Sequence, residues 1–183
     1  MTVSCSGPAQ TFTITVNPTA QVNDPSDQVV CNAAMTTGVF FGTANTGGTT
    51  VYNWTNDEPG IGLVASGVGN IGSFAAINAS TIPIVATITV TPEFTNGSVT
   101  CTGPSESFTI TINPTAQVDA IASEVVCNGD LTTAVNFSTL NTVGTTTYNW
   151  TNNATSIGLA AMGTGNIAAF TAVIMELHRL LRQ

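Results

Sequence analysis

A glycine-rich stretch, Gly67-Val68-Gly69-Asn70-Ile71-Gly72, matches the G-x-G-x-x-G pattern of dinucleotide-binding loops. That chemistry needs a strand before the glycines, a helix after them that faces the pyrophosphate, and an acidic residue about 20 positions later. The following residues, SFAAINAS, show no helical periodicity and no suitable acid. We therefore expect no cofactor site. We interpret this stretch as a tight turn whose glycine and asparagine residues adopt positive φ angles.

Two pairs of carboxylates, Asp24 with Asp27 and Asp57 with Glu58, have the oxygen chemistry that Ca²⁺ prefers. A related sequence recurs 96 residues later, and it holds no acid at the matching positions, which are Ala120, Ser123, Asn153 and Ala154. A metal site built into the repeat should recur with it. We expect solvated loop acids and no metal site, and calcium binding stays an alternative.

The sequence before residue 178 contains no histidine or lysine side chain that could serve as the general base for a hydroxyl nucleophile. Serine and threonine are plentiful, but the only histidine is His178 and the only basic residues are Arg179 and Arg182. A hydroxyl nucleophile needs such a partner for activation. We therefore predict that the protein is not an enzyme and has no catalytic residues.

The charge distribution excludes several kinds of partner. The formal net charge is −8, and no Lys or Arg precedes residue 179. Such a body cannot neutralise phosphates or anionic lipid, so nucleic-acid binding is not expected. No apolar run approaches the roughly 20 residues that span a bilayer, and no signal peptide follows Met1. A surface without trypsin sites suits an extracellular setting.

Tyr52 and Trp54 alternate on a predicted strand, so both side chains point to one face. Packing in the core is the main interpretation, with Trp54 and its counterpart Trp150 as core anchors. The alternative is an aromatic platform that stacks on sugar rings, which would make the chain a carbohydrate-binding module.

The whole stretch from Tyr52 to Phe74 returns from Tyr148 to Phe170, an offset of 96 residues that continues without a gap from Val3/Val99 to Ile77/Val173. More than half of the paired positions are identical. A period of this length corresponds to a whole small domain. It divides the chain into a terminal hairpin of a preceding repeat (1–17), a complete repeat (18–113), an incomplete repeat (114–173) and an atypical tail (174–183).

Alternating apolar and polar residues predict about seven short strands in the complete repeat. Their ranges are 28–32, 37–42, 50–55, 72–77, 84–91, 98–101 and 106–112. Seven short strands separated by Gly, Pro and Asn predict an all-β fold, with a β-sandwich in each repeat.

The second repeat ends before its last three strands, because residues 174–183, IMELHRLLRQ, do not continue the pattern. We interpret this tail as out of frame or artificial, with a short docking helix as the alternative. A sandwich without these strands leaves its core and strand edges open. Residues 1–17 match two of the missing strands, so head-to-tail self-association by strand donation is a further hypothesis.

Four cysteines, Cys5, Cys31, Cys101 and Cys127, allow three pairings. The order Cys31, Trp54, Cys101 is typical of an immunoglobulin-type bridge between two sheets. The rival pairing, Cys5–Cys31 with Cys101–Cys127, would span the junctions between repeats, and free thiols are the third possibility. Any disulfide would indicate an oxidising compartment.

The chain resembles the PKD-like (Ig-like) repeat domains of large secreted surface proteins from Bacteroidetes. The motifs that carry the resemblance are VVCN at 29–32, YNWTN at 52–56, SGVGNIGSF at 66–74, ATITVTP at 86–92 and CTGPSESFTITINPTAQV at 101–118. The resemblance covers residues 3–173. It implies an extracellular array of β-sandwiches, a Cys31–Cys101 bridge, a core Trp54 and a joint at Asn113-Pro114, and it carries over no catalytic residue.

These observations together predict a non-enzymatic structural repeat of a cell-surface adhesin or fibre, in contact with adjacent repeats of the same protein. The alternatives are a filament subunit joined by strand donation and a carbohydrate- or calcium-dependent binding module.

Overall fold

The computed structural model describes residues 1–174 and consists of strands and loops. The strands are β1 (Gln28–Cys31), β2 (Thr49–Asn56), β3 (Ser66–Val68), β4 (Ile84–Asn96), β5 (Val99–Thr102), β6 (Glu106–Asn113), β7 (Asn149–Thr151) and β8 (Met162–Thr164). Within this described part, only two three-residue 3-10 turns, Pro59–Ile61 and Thr155–Ile157, are helical. The prediction of a strand-rich fold is confirmed.

Six strands form one mixed sheet in the order β1-β6-β4-β2-β3, with β5 added to the far end of β4. β1 runs parallel to β6, and the other neighbours are antiparallel. The alternation of apolar and polar residues explains why one face of the sheet is buried and the other is exposed. Ile88 and Ile110 turn one face inward, whereas Thr89 and Ser107 hydrogen-bond to each other on the opposite face.

The core lies between this apolar face and the connecting segments of residues 33–42 and 61–76. From the sheet come Trp54, Ala86, Ile88, Val90, Phe108, Ile110 and Ile112, and from the connecting segments come Val39, Phe41, Ile61, Leu63, Ile71 and Ala76. This two-layered packing fits a β-sandwich.

The predicted strands 37–42 and 72–77 are not regular strands in the structure. Two isolated bridges, Met35 with Ala75 and Val39 with Ile71, and a backbone hydrogen bond from the Thr36 amide to the Phe74 carbonyl connect these parts of the chain. Between these bridges, the Thr36 side chain accepts a hydrogen bond from the Phe74 amide. Side-chain groups thus replace backbone partners, and a continuous ladder cannot form.

β4 extends five residues past its predicted end, to Asn96, because it changes partners at Pro92. Its pairing with β6 ends at Val90, and its pairing with β5 begins at Glu93. Pro92 has no N–H to donate at this gap, and its carbonyl accepts a hydrogen bond from the Gly103 amide. A two-residue turn joins β4 to β5, with Gly97 at a φ of 63° in its first position, as a type II′ turn requires.

The chain reaches and leaves this sheet at opposite ends. At one end, the Asn17 side chain contacts Asn96 and Val99 around the β4–β5 turn. At the other, β6 ends at Asn113, one residue past the pair Ile112–Ile84 at the start of β4. The 13 residues of β4 separate these two ends by about 40 Å.

Residues 114–174 repeat the local structure of residues 18–78 without the main sheet. β7 and β8 match β2 and β3, and the bridges Leu131–Thr171 and Val135–Ile167 match those of the first repeat at the same offset. Residues 124–127, the counterpart of β1, form no strand, since no β6 lies beside them. The tail interpretations concern residues 174–183, of which all but Ile174 lie outside the described residues.

Candidate functional site

The glycine-rich stretch is partly a strand, which corrects its interpretation as a turn. Gly67 lies in β3 opposite Trp54, and a side chain on Gly67 would overlap the indole ring. Of the six residues 67–72, only Gly69 has a positive φ, at 76°. Its carbonyl accepts a hydrogen bond from Trp54 Nε1 at 3.0 Å. Close packing against Trp54 accounts for Gly67 and the positive φ accounts for Gly69, whereas Gly72 has no contact that requires a glycine, and no helix follows this stretch.

The candidate calcium ligands are spread along the sheet, and two of them complete strand ends. The Asp27 carboxylate accepts a hydrogen bond from the Thr109 amide at 2.6 Å, just before β1 begins. The Asp57 carboxylate does the same for the Thr87 amide at 2.6 Å, just after β2 ends. Among residues 1–174, no group of three or more His, Cys, Asp or Glu side chains could hold a metal ion. The structure therefore gives these two acids a role within the sheet.

Both aromatic residues of the YNW motif pack against the core. The Trp54 side chain is only 6% exposed, which leaves no ring face for a sugar. Tyr52 is half-buried, with its ring centroid 5.6 Å from that of Phe41. Phe137 and Tyr148 form the matching pair at 5.5 Å. Trp150 is half-buried, and its Nε1 has no hydrogen-bond partner among the described residues.

The structure contradicts the Cys31–Cys101 bridge, because all four cysteines are free thiols. Cys31 pairs with Asn113 beside the start of β4, whereas Cys101 pairs with Phe94 near its end. Ile84 and Phe94 are ten positions apart along β4, which separates the backbones of the two cysteines by about 33 Å. A disulfide needs Cα atoms within about 7 Å. The order of cysteines around a tryptophan was therefore misleading.

An apolar groove of about 450 Å³ lies on the second repeat, and we call it the open groove. One wall is residues 124–128, the counterpart of β1. The floor includes Val135, Ile157, Leu159, Ile167, Phe170 and Ala172. Glu124 is held at its edge, where the carboxylate accepts hydrogen bonds from the Thr133 amide at 3.0 and 3.1 Å. Glu124 is the one charged side chain among the described residues that line the groove.

Comparison with the complete repeat shows what this groove lacks. Its floor residues match members of the first-repeat core that pack against β4 and β6. Ile61 is fully buried there, whereas its counterpart Ile157 is 39% exposed. The open groove is therefore the inner surface of a core whose covering strands are missing from the described residues. Sequence reasoning predicted the open core but not the position or shape of the groove.

The N-terminal segment offers the complementary surface. Phe12, Ile14 and Val16 are 84%, 79% and 86% exposed. Their counterparts in β6, Phe108, Ile110 and Ile112, are almost completely buried. Residues 1–17 form no strand, and their side-chain hydrogen bonds to the rest of the described chain are those of Asn17. Because these residues have no neighbouring strand in the described part of the chain, they expose an apolar face whose counterpart in β6 is buried.

Comparison of the chain with protein-family models, curated proteins and solved structures finds no match. In the part of the chain that the structure describes, no helix is long and apolar enough to cross a membrane.

Proposed function

We propose that this chain is a non-enzymatic part of a tandem array of Ig-like (PKD-like) β-sandwiches that serves as a stalk or interaction module of an extracellular surface protein. One observation carries the proposal. The complete repeat receives the chain at one end of its sheet and releases it at the other, about 40 Å away. Repeats joined in this way extend a fibre instead of folding back on one another.

The joint between repeats has its own contacts. Ala20, which follows Asn17-Pro18, is fully buried, and its carbonyl lies against Gly103 so closely that no side chain fits there. Asn45 donates a hydrogen bond to the Thr19 carbonyl at 3.0 Å, and Asn141 donates to the Thr115 carbonyl at 3.0 Å in the second repeat. The recurrence of this asparagine hydrogen bond at both linkers supports a repeated, defined joint.

The surface supports an extracellular setting and a passive role. The outer face of the sheet carries Thr and Ser side chains that hydrogen-bond across strands, as between Thr91 and Ser105 at 2.7 Å. The residues before position 174 contribute nine of the ten carboxylates and no Lys or Arg, so their solubility rests on hydroxyl, amide and acidic groups. A fibre exposed to proteases benefits from such a surface.

Small-angle X-ray scattering on chains with increasing numbers of residues 18–113 in tandem tests the proposal. The maximum dimension should grow by about 40 Å for each added repeat. Growth of a compact particle, with successive repeats folded against one another, would overturn it. Protease treatment of intact cells, followed by detection of released fragments, tests the extracellular setting. A chain protected until the cells are lysed would contradict that part.

A further inference from the structure

We propose that the open groove binds residues 10–17 of a second copy of this chain, here called the donor segment, as a strand parallel to residues 124–127. This inference goes beyond the stalk function, because an array needs no contact between separate chains. Its failure would leave the proposal of an extended array unchanged.

The donor segment carries the residues that fill this position in the complete repeat. Residues 10–17, QTFTITVN, match β6, ESFTITIN, at the repeat offset. In β6, Phe108, Ile110 and Ile112 supply the buried face that covers the counterparts of the open groove. Phe12 and Ile14 are identical to the first two, and Val16 differs from Ile112 by one methylene group. The donor face therefore has nearly the same shape as the natural occupant.

The register of the contact follows from the pairing of β1 with β6. Gln28 lies opposite Ile110 and Val30 opposite Ile112. Moved to the second repeat, this register places Ile14 opposite Glu124 and Val16 opposite Val126. Val126 is half-buried, as Val30 is, whereas its neighbour Val125 is 98% exposed. The backbone of residues 124–127 forms no ladder within the chain, so it is available for a new strand.

Charge and burial both favour this occupant. The groove has one acid, Glu124, at its edge, and the chain as a whole carries a net charge of −8. The donor segment contains no charged residue, since Gln10 stands where β6 has Glu106. The segment therefore places no charged side chain beside Glu124, and burial of its three exposed apolar side chains drives the contact.

The donor segment lies before the complete repeat and the groove lies after it, so each copy can donate at one end and accept at the other. Such a contact is heterologous and propagates into fibres unless its rotation closes a ring. The donated strand gains a ladder on one side only, because no counterpart of β4 is present among the described residues. We therefore expect reversible assembly that depends on protein concentration.

The test uses the full 183-residue chain under reducing conditions, which prevent cross-linking through the exposed thiols. Size-exclusion chromatography with light scattering should show oligomers whose mass rises with concentration. Ile14→Asp should weaken assembly by more than about tenfold, because it places a charge in the groove. Thr13→Asp, on the opposite face of the donor segment, is the matched control and should assemble as the unmodified chain does.

A second pair of variants tests the acceptor side. Val126→Asp should abolish assembly, and Val125→Asp should not. At a protein concentration below the onset of assembly, circular dichroism melting curves should coincide for all four variants, since these side chains lie outside the core of the complete repeat. A strict monomer at every concentration would overturn the proposal, as would assembly that Ile14→Asp leaves unchanged.

Discussion

At the scale of single residues, the contact between Trp54 and Gly67 explains the most distinctive sequence motif. The indole fills the space above a glycine in β3, and its Nε1 donates to the Gly69 carbonyl. Trp150 and Gly163 repeat the same close approach. Packing against an aromatic ring therefore explains Gly67, and a positive φ explains Gly69.

Substitution of Gly67 tests this explanation. Gly67→Ala should reduce the free energy of unfolding by about 1–3 kcal/mol, because the new methyl group overlaps the Trp54 ring. Gly72→Ala is the matched control, since no atom lies within 4 Å of its Cβ position and its φ is not positive. Urea unfolding followed by circular dichroism gives both values. Equal stabilities of the two variants would contradict the packing role.

Tyr52 supplies a test by pH. Burial raises the pKa of its phenol above the ordinary value of 10.0. Above that value the unfolded state loses the proton first, so the contribution of Tyr52 to stability is complete below pH 10 and is lost as the pH rises through the folded pKa.

Ultraviolet absorbance of the Tyr148→Phe variant isolates this group, because the chain has only two tyrosines. The pH midpoint of the Tyr52 absorbance change should be higher for the folded variant than for the same variant unfolded in urea. Coincident midpoints would show that Tyr52 is not buried in the way described.

At the scale of elements, the carboxylates of Asp27 and Asp57 continue the hydrogen bonding of strands that have ended. Each accepts from an amide of the neighbouring strand, at Thr109 and Thr87 respectively. These two threonines are partners in the β4–β6 ladder. One acid from each flanking strand thus secures the centre of the sheet.

Removal of one carboxylate should weaken the sheet without removing a ligand site. Asp27→Ala should lower the free energy of unfolding by about 1 kcal/mol, the usual net contribution of one hydrogen bond. Asp24→Ala is the matched control at an exposed loop position, and it should change stability by less than about 0.5 kcal/mol. Thermal melting with and without added Ca²⁺ distinguishes the two roles. A melting temperature that rises with Ca²⁺ only when Asp27 is present would favour a metal site instead.

At the scale of the whole molecule, the two repeats share local structure but not a closed core. Residues 18–113 contain six paired strands over one continuous core. Residues 114–174 contain one short two-stranded pair and the open groove. An isolated pair of strands has little independent stability in water.

Separate expression of the two parts measures this difference. Residues 17–113 should unfold in one cooperative transition by calorimetry, whereas residues 114–174 should show none. Addition of a peptide with the sequence of residues 8–17 should increase the protection of residues 124–127 from hydrogen exchange. A cooperative transition of residues 114–174 alone would contradict the view that its core is incomplete.

Much of the sheet could be predicted from the sequence, because β1, β2, β4, β5 and β6 have a clear period of two or lie beside strong turn residues. Other parts could not. β3 has only three residues, centred on a glycine, and therefore shows no alternation. Residues 37–42 and 72–77 alternate as strands do, but side-chain groups such as Thr36 Oγ1 interrupt their ladder. An alternating apolar and polar pattern indicates burial of one face, but it does not indicate whether backbone or side-chain groups form the hydrogen bonds.

The sequence by itself determined the repeat, the strand-rich class and the absence of basic groups before residue 178, since all three are properties of residue order and type. Only the tertiary structure decided that Cys31 and Cys101 lie at opposite ends of β4. It also decided that the chain crosses the sheet from end to end, that the apolar face of residues 12–16 is exposed, and that the second repeat has an open apolar groove. These results depend on strand order and register, which arise from contacts between distant residues that no local pattern encodes.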